Sequence, residues 1–415
     1  MTDLDQKPRL RFKGFTEAWE QRKFEDVAVI RRGLTYSPSD IKNTGIRVLR
    51  SSNIDEEYFV KFEDDVFVDK NCINIPFVNN GDILITSANG SSRLVGKHAI
   101  IHDLRHNSAV HGGFMLLASS KNPYFVNASM SAAWYKKFID LYVAGGNGAI
   151  GNLNKNDLDN YELMIPTNNE QIKIGELFKN LDTIITLHQR KYEKLKSMKT
   201  ALLEKMFPAG NDTSPKIRFK GFTEAWEQRV IKDLITKGGS GGTPSTSNSS
   251  FYNGTIPFLS ITDISNSNGF IFDTEKHITE EALNSSTAWI VPKESVSLAM
   301  YASVGKVAIL KENIATSQAF YNMIFKTLEL RDYCFQYLKK METNNEWLPY
   351  ISTGTQANLN AEKVQNLKLQ VPLEENEQRK VGQLFNQLDS LITLHQRKCE
   401  KLTNLKKSLL ERMFI

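Results

Sequence analysis

Cysteine is scarce in this chain, with Cys72, Cys334 and Cys399 the only three among 415 residues. The number is odd and the spacing suits no metal, which excludes a zinc ribbon or a disulfide framework and fits reduced thiols in the cytoplasm. No stretch approaches the roughly 18 apolar residues that a membrane span needs. The first residues, Met1-Thr2-Asp3-Leu4-Asp5-Gln6-Lys7, lack the apolar core of a signal peptide. Strong charge of either sign is missing too: the net value is +5, with 40% hydrophobic and 24% charged residues, an ordinary globular balance.

Catalytic motifs are also wanting. Gly90-Ser91-Ser92-Arg93-Leu94-Val95-Gly96-Lys97-His98 approaches a phosphate loop, but is one residue too long and carries His98 where Ser or Thr belongs. Gly238-Gly239-Ser240-Gly241-Gly242-Thr243-Pro244 is rich in glycine without the lysine. Asn122-Pro123-Tyr124-Phe125 hints at an amino-methyltransferase loop, yet the second proline and a glycine-rich cofactor loop are missing. There is no His-Glu-x-x-His or Cys-x-x-Cys, and glycine-rich loops alone are usually turns, so the chain is expected to be non-catalytic, with no metal and no cofactor of its own.

What the chain has instead is an internal repeat at a displacement of 207 residues. Arg11-Phe12-Lys13-Gly14-Phe15-Thr16-Glu17-Ala18-Trp19-Glu20-Gln21-Arg22 recurs unchanged as Arg218 to Arg229. Asn169 to Phe207 recurs as Asn376 to Phe414 with 25 of 39 positions identical. The stretches between, 23–168 and 230–375, hardly resemble each other. The organisation is therefore a repeat segment (1–22), a first insert (23–168), a helix (169–207), a linker and repeat segment (208–229), a second insert (230–375) and a second helix (376–415). A frame built twice around two different inserts suggests recognition of a two-part, asymmetric target. The inserts carry −1 and −3, and the helical segments +3 and +4, so any grip on nucleic acid comes from local patches.

In the first helix Leu177, Leu181, Ile184, His188, Tyr192, Leu195, Met198, Leu202 and Met206 follow steps of mainly three and four. Leu384, Leu388, Leu391, His395, Cys399, Leu402, Leu405, Leu409 and Met413 do so in the second. This 3.5-residue period specifies a coiled-coil seam. Each helix, uninterrupted by proline, would run about 38 residues, or roughly 57 Å. Two matching seams pair with each other, or else each pairs with a separate protein. The linker from Phe207 to Arg218 reaches at most roughly 37 Å, too short to return comfortably along a helix, so the economical pair is antiparallel. The inserts would then sit at opposite ends, related by a pseudo-twofold axis. Joining Ile415 to Met1 would give a second linker twelve steps long against eleven, as in a cyclic object of two units cut once. His188 and His395 occupy equivalent seam positions, where polar residues fix register.

Both inserts alternate short β-branched runs, such as Asp82-Ile83-Leu84-Ile85-Thr86 and Lys306-Val307-Ala308-Ile309-Leu310, with Gly, Asn and Ser turns and later helices. Each reads as a mixed α/β domain. Val95-Gly96-Lys97 matches Val304-Gly305-Lys306, and Gly148 to Asn154 matches Gly354 to Asn360, so the inserts share one fold. Loops bearing hydroxyl, amide and guanidinium groups beside strand ends suit phosphate and base-edge contacts. The candidates are Arg31, Arg32, Arg47, Arg50, Asn89, Arg93 and Lys97 in the first insert. In the second they are Lys237, Thr243, Ser245, Thr246, Tyr301, Ser303, Lys306, Thr355 and Gln356.

Over its whole length the chain resembles the specificity subunit of type I restriction-modification enzymes. The resemblance rests on Gly241-Gly242-Thr243-Pro244-Ser245-Thr246 followed by Ile256-Pro257-Phe258-Leu259-Ser260-Ile261-Thr262-Asp263-Ile264. It rests also on Ile165-Pro166 and Val371-Pro372, each soon followed by Asn-Glu-Gln and the repeated helix. The first insert departs from the pattern, with Arg32-Gly33-Leu34-Thr35-Tyr36-Ser37-Pro38 at the corresponding loop. The resemblance implies an α+β chain with two target-recognition domains separated by an antiparallel two-helix coiled coil. Each domain would read one half of a bipartite DNA sequence in double-stranded DNA. The helices would set the spacing and dock two modification (methyltransferase) subunits, which bring S-adenosylmethionine. Restriction and motor subunits would join with their own ATP and magnesium (Mg). Outside that resemblance, the same coiled coil would serve a protein–protein scaffold or adaptor.

Overall fold

The structure is a computed structural model, and it describes residues 7–143, 151–210, 212–352 and 358–415. The chain divides into two compact units, Met1–Leu187 with Lys398–Ile415, and His188–Arg397. The boundaries fall inside helices, so each core takes part of both helical repeats.

In the first unit the central strand Ile83–Thr86 lies between His98–Ile100 and Met115–Ser119, and Val29–Arg32 completes a four-stranded sheet. Its buried run reads as continuous apolar sequence because both faces are covered. Ile83, Ile85, Leu116 and Ala118 face Phe125, Trp134 and Phe138 of helices α1 (Pro123–Met130) and α2 (Ala133–Tyr142). Leu84, Ala99, Met115 and Leu117 face Leu49, Ile54 and Phe59 beneath a second sheet. There Ala109–His111 pairs in parallel with Ile46–Leu49.

The second unit repeats the plan with a five-stranded sheet around Val296–Ala299 and a four-stranded sheet containing Ile256–Leu259 and Ile314–Thr316. Val296, Leu298 and Met323 pack with Tyr333, Phe335 and Leu338 of helix α4 (Leu328–Thr343), which follows the long helix α3 (Asn168–Lys205) in the chain. Ala299, Leu310 and Phe320 face Leu259, Val291 and Ile314.

The unchanged repeat segments fasten these cores to the helices. Arg11 donates from Nε and Nη2 to the Glu170 carboxylate at 2.7 and 2.8 Å. Glu170 is buried in the first turn of α3, where the helix dipole favours an anion. Arg218 does the same to Glu377, at 2.6 and 2.8 Å, in the first turn of α5 (Glu375–Met413). Strand Glu20–Lys23 pairs with Glu162–Ile165, as Glu227–Val230 pairs with Lys368–Val371. Phe414 packs with Trp19, Phe125 and Phe178 in the first unit. Its counterpart Phe207 packs with Tyr333, Tyr337 and Phe385 in the second.

The two helices run antiparallel within each unit. In the first, Phe178 meets Phe414 and Asp182 meets Lys406. In the second, His188 meets His395, Lys199 meets Asp389 and Phe207 meets Phe385. Leu181 and Leu388 are buried, and Leu177, Leu195, Leu202, Leu384, Leu402 and Leu409 are half-buried against the cores. Ile184 and Leu391 correct the expected seam, being 42% and 43% exposed, while the seam passes through the adjacent Ile185 and Ile392. Neighbouring positions on a helix point about 100° apart, so an Ile-Ile pair conceals the phase of the repeat. Met198 and Leu405 are exposed as well, and the adjacent Lys199 and Lys406 take their seam places. Each of these lysines finds an aspartate in the other helix: Lys199 with Asp389 at 2.6 Å, and Lys406 with Asp182 at 2.7 Å. Lys406 also reaches Glu57 at 2.6 Å. The His188 and His395 Nδ1 atoms lie 2.8 Å apart, a separation that calls for one proton between them.

Candidate nucleic-acid interface

The same four chain segments meet at corresponding places in both units. First come Gly33–Thr35 and Gly241–Thr243, where a strand end crosses another backbone. A Cβ on Gly33 would lie 1.9 Å from the Gly112 carbonyl oxygen, and one on Gly241 would lie 1.8 Å from that of Thr316, so glycine is required at both. This contact aligns the divergent first loop with the second, Thr35 with Thr243. Second come the turns Gly112–Phe114 and 317–319, whose following strands pair in the same register with Ile83–Thr86 and Val296–Ala299. Third come Arg50–Asn53 and Ser260–Asp263, in which the side chain of Asn53 or Asp263 accepts from the backbone N–H of Arg50 or Ser260 at 2.8 and 2.9 Å. Fourth come Ala88–Gly90 and 301–303, tied through the pairs Ala88–Asn152 and Tyr301–Asn358.

In the first unit these segments line a cleft of about 600 Å³ that holds Thr35, Tyr36, Arg50, Ser51, Asn89 and Phe114. Asn89 donates to Ser51 Oγ at 3.0 Å and accepts from the Ser91 N–H at 2.9 Å. Phe114 is 75% exposed at the turn, an aromatic face in water beside two glycines.

The other sequence candidates of this unit lie apart from the cleft lining. Arg31 pairs with the buried Asp82 at 3.3 Å. Arg47 pairs with Asp65, donates to the Phe62 carbonyl at 3.0 Å and lies over the Phe67 ring. Arg32 is exposed on its strand, Arg93 is exposed in the 3-10 turn Ser92–Leu94, and Lys97 is half-buried. Beneath the cleft floor burial holds the His111 imidazole down to about 4, so it stays neutral.

In the second unit Thr243 donates to Gln318 at 2.7 Å, and Ser245 shares a hydrogen bond with Ser247 beside the exposed Thr246. Lys237 lies 4.3 Å over the Trp289 ring. Tyr301 is exposed, Ser303 shares a hydrogen bond with Ser265 at 2.8 Å, and Lys306 donates to the Ser265 carbonyl at 3.2 Å. Thr355 and Gln356, like Gly148 to Ile150 and Gly354 of the internal match, lie outside the described residues.

Sequence reasoning missed Tyr36, Ser51, Phe114 and Gln318 as members of these clusters. The available signal was Gly112-Gly113-Phe114, a turn between two apolar runs with an aromatic at its tip.

Fold and clusters together define a non-identical pair of like domains, each presenting a cluster of loops at the ends of packed sheets. The family model for the type I restriction modification DNA specificity domain matches residues 16–197 and again residues 223–404, offset by the same repeat. The chain therefore belongs to that family. A type I restriction enzyme specificity subunit (MjaIX) of Methanocaldococcus jannaschii is 32% identical over 46% of this chain and 44% of its own length. One from Haemophilus influenzae (HindI) is 28% identical over 32% of this chain and 29% of its own length. The matched segments thus span less than half of either relative. In fold, the chain matches the crystal structure of a type I restriction-modification system S subunit from M. genitalium, with a TM-score of 0.65 over 99% of both chains at 14% identity.

Proposed function

We propose that this chain is the DNA-reading subunit of a type I restriction-modification complex, each unit recognising one half of a bipartite, asymmetric target. The observation that carries this is one loop cluster built twice with different side chains. Arg50 stands where the second unit has Ser260, Ala88 where it has Tyr301, and the Gly112–Phe114 turn where it has 317–319. A shared frame with unlike loops suits two unlike half-sites, whereas identical clusters would suit a palindrome.

The chain itself is the non-catalytic member. Two methyltransferase subunits would dock on it, bringing S-adenosylmethionine, and restriction and motor subunits would bring ATP and magnesium. The twofold docking is supported by exposed apolar residues at equivalent positions of both helices: Ile184, Leu187 and Met198 on α3, Leu391, Leu394 and Leu405 on α5. Half-site centres are expected near one DNA turn, roughly 10 base pairs, apart.

The test is genome-wide adenine methylation by single-molecule sequencing, in cells expressing the chain with its methyltransferase subunit. A bipartite motif should appear only with this chain, and exchanging either insert should change one half alone. A complex that assembles yet yields no chain-dependent motif would move the protein to a scaffold role.

A further inference from the structure

The cleft of the first unit has no carboxylate among the described residues that line it, and one cation stands in it. Among the described residues that line it, Arg50 alone is charged. Building on the DNA-reading role above, we propose that Arg50 is the base-reading residue of the first domain and that it takes a guanine from the major-groove side. The other arginines divide by their partners: Arg31 is occupied by Asp82 and Arg47 by Asp65, while Arg32 and Arg93 lie outside the cleft. Arg50 is exposed, and among the described residues no carboxylate pairs with it.

Its root, by contrast, is fixed. Its backbone N–H donates to Asn53 Oδ1 at 2.8 Å, and Asn53, fully buried, donates in turn to Asp65 at 2.8 Å and the Val60 carbonyl at 3.1 Å. The stem passes over Gly112, where a Cβ would already stand 3.9 Å from Arg50 Cγ. With the root anchored, binding has only the side-chain stem to order, and the planar fork spreads that cost over two hydrogen bonds.

Guanine offers two adjacent acceptors, O6 and N7, in the major groove, which match two guanidinium N–H donors. Adenine and cytosine place an amino donor at the corresponding edge, and a guanidinium, having no acceptor, meets it poorly. In the second unit the equivalent Ser260 donates its hydroxyl to Asp263 at 2.6 Å, a helix cap, so the two half-sites are read differently at this point.

The experiment replaces Arg50 by Ala and, separately, by Lys in the complex with its methyltransferase subunit, and reads the methylated motif in cells. Both variants should lose preference for one guanine–cytosine pair in one half, by roughly tenfold or more, with the other half unchanged. Lysine fails along with alanine because it cannot form the bidentate fork. An unchanged motif overturns the proposal. So does uniform loss of methylation at all sites with recovery in Arg50→Lys, which would make Arg50 a phosphate contact. Failure of the DNA-reading role itself is told apart because the unaltered chain would then give no motif. Equal melting midpoints of Arg50→Ala and the unaltered chain exclude a folding effect.

Discussion

Removing the Glu377 carboxylate should loosen the second unit at the start of α5. This group is 1% exposed and accepts three hydrogen bonds, from Arg218 Nε at 2.6 Å, Arg218 Nη2 at 2.8 Å and Trp226 Nε1 at 3.1 Å. Glu377→Ala strands a guanidinium that is only 14% exposed, a loss of about 3–5 kcal/mol for one partner of a buried pair. The orphaned indole adds about 1 kcal/mol. For a unit of this size 1 kcal/mol moves the midpoint by about 2–4 °C, so a fall of roughly 8–24 °C is expected. Glu170→Ala should fall short of this in the first unit, because the Trp19 indole N–H has no acceptor there to lose. Calorimetry gives the midpoints. Hydrogen exchange assigns the change, with protection lost over 375–385 and 218–229 and retained over 168–178. A double-mutant cycle of Arg218→Ala and Glu377→Ala with coupling below about 0.5 kcal/mol would refute the reasoning, as would equal losses at Glu170 and Glu377.

Three further outcomes follow from buried charge and from the phase of the seam. Burial alone would lower the Lys406 pKa, but Asp182 and Glu57 outweigh it and raise it to about 12. That stabilisation, about 2 kcal/mol, is complete below the ordinary lysine value of 10.5 and is lost as pH rises through 12, so Lys406→Met should flatten the alkaline limb of a first-unit melting curve. His111 has the opposite sign of dependence: held at about 4 by burial, it leaves the first unit intact above 6.5 and costs about 3 kcal/mol as pH falls to 4. His98, also lowered by burial, acts in the same direction, and His111→Gln should make the acid limb measurably shallower in urea titrations at pH 7 and pH 4.5. Ile185→Lys should destabilise the chain by several kcal/mol, whereas Ile184→Lys should stay within about 0.5 kcal/mol and instead weaken capture of the methyltransferase subunit in pull-down; equal stability losses would restore Ile184 to the seam.

The frame was more legible than the reading heads. The 207-residue repeat announces itself in identical residues, and the 3.5-residue period points to paired helices without any structure. The phase was harder because Ile184-Ile185 and Leu391-Ile392 offer apolar side chains on both sides of the seam, and because charge hides Lys199 and Lys406 from an apolar pattern. Only their partners, Asp389 and Asp182, explain why a lysine belongs inside. In the loops, Arg31, Arg47 and Arg50 look alike as letters. What separates them is Asp82, 51 residues from Arg31, and Asp65, 18 residues from Arg47. Phe114 has a signal in its Gly-Gly-Phe turn, but its exposure depends on backbones that cross at Gly33 and Gly112, far apart in the chain.

The division of the chain also dictates an order of assembly. The second unit is one uninterrupted stretch, His188–Arg397, but the first needs residues from both sides of it. Phe414 fills the space among Trp19, Phe125 and Phe178, and Lys406 neutralises Asp182 and Glu57, so the earlier residues wait for contacts almost 400 positions away. Domains usually close in the order in which the ribosome releases them. Here the half that is synthesised first is the half that must finish last, and a message cut short before Phe414 would leave its aromatic pocket open to proteolysis while the second half stood complete.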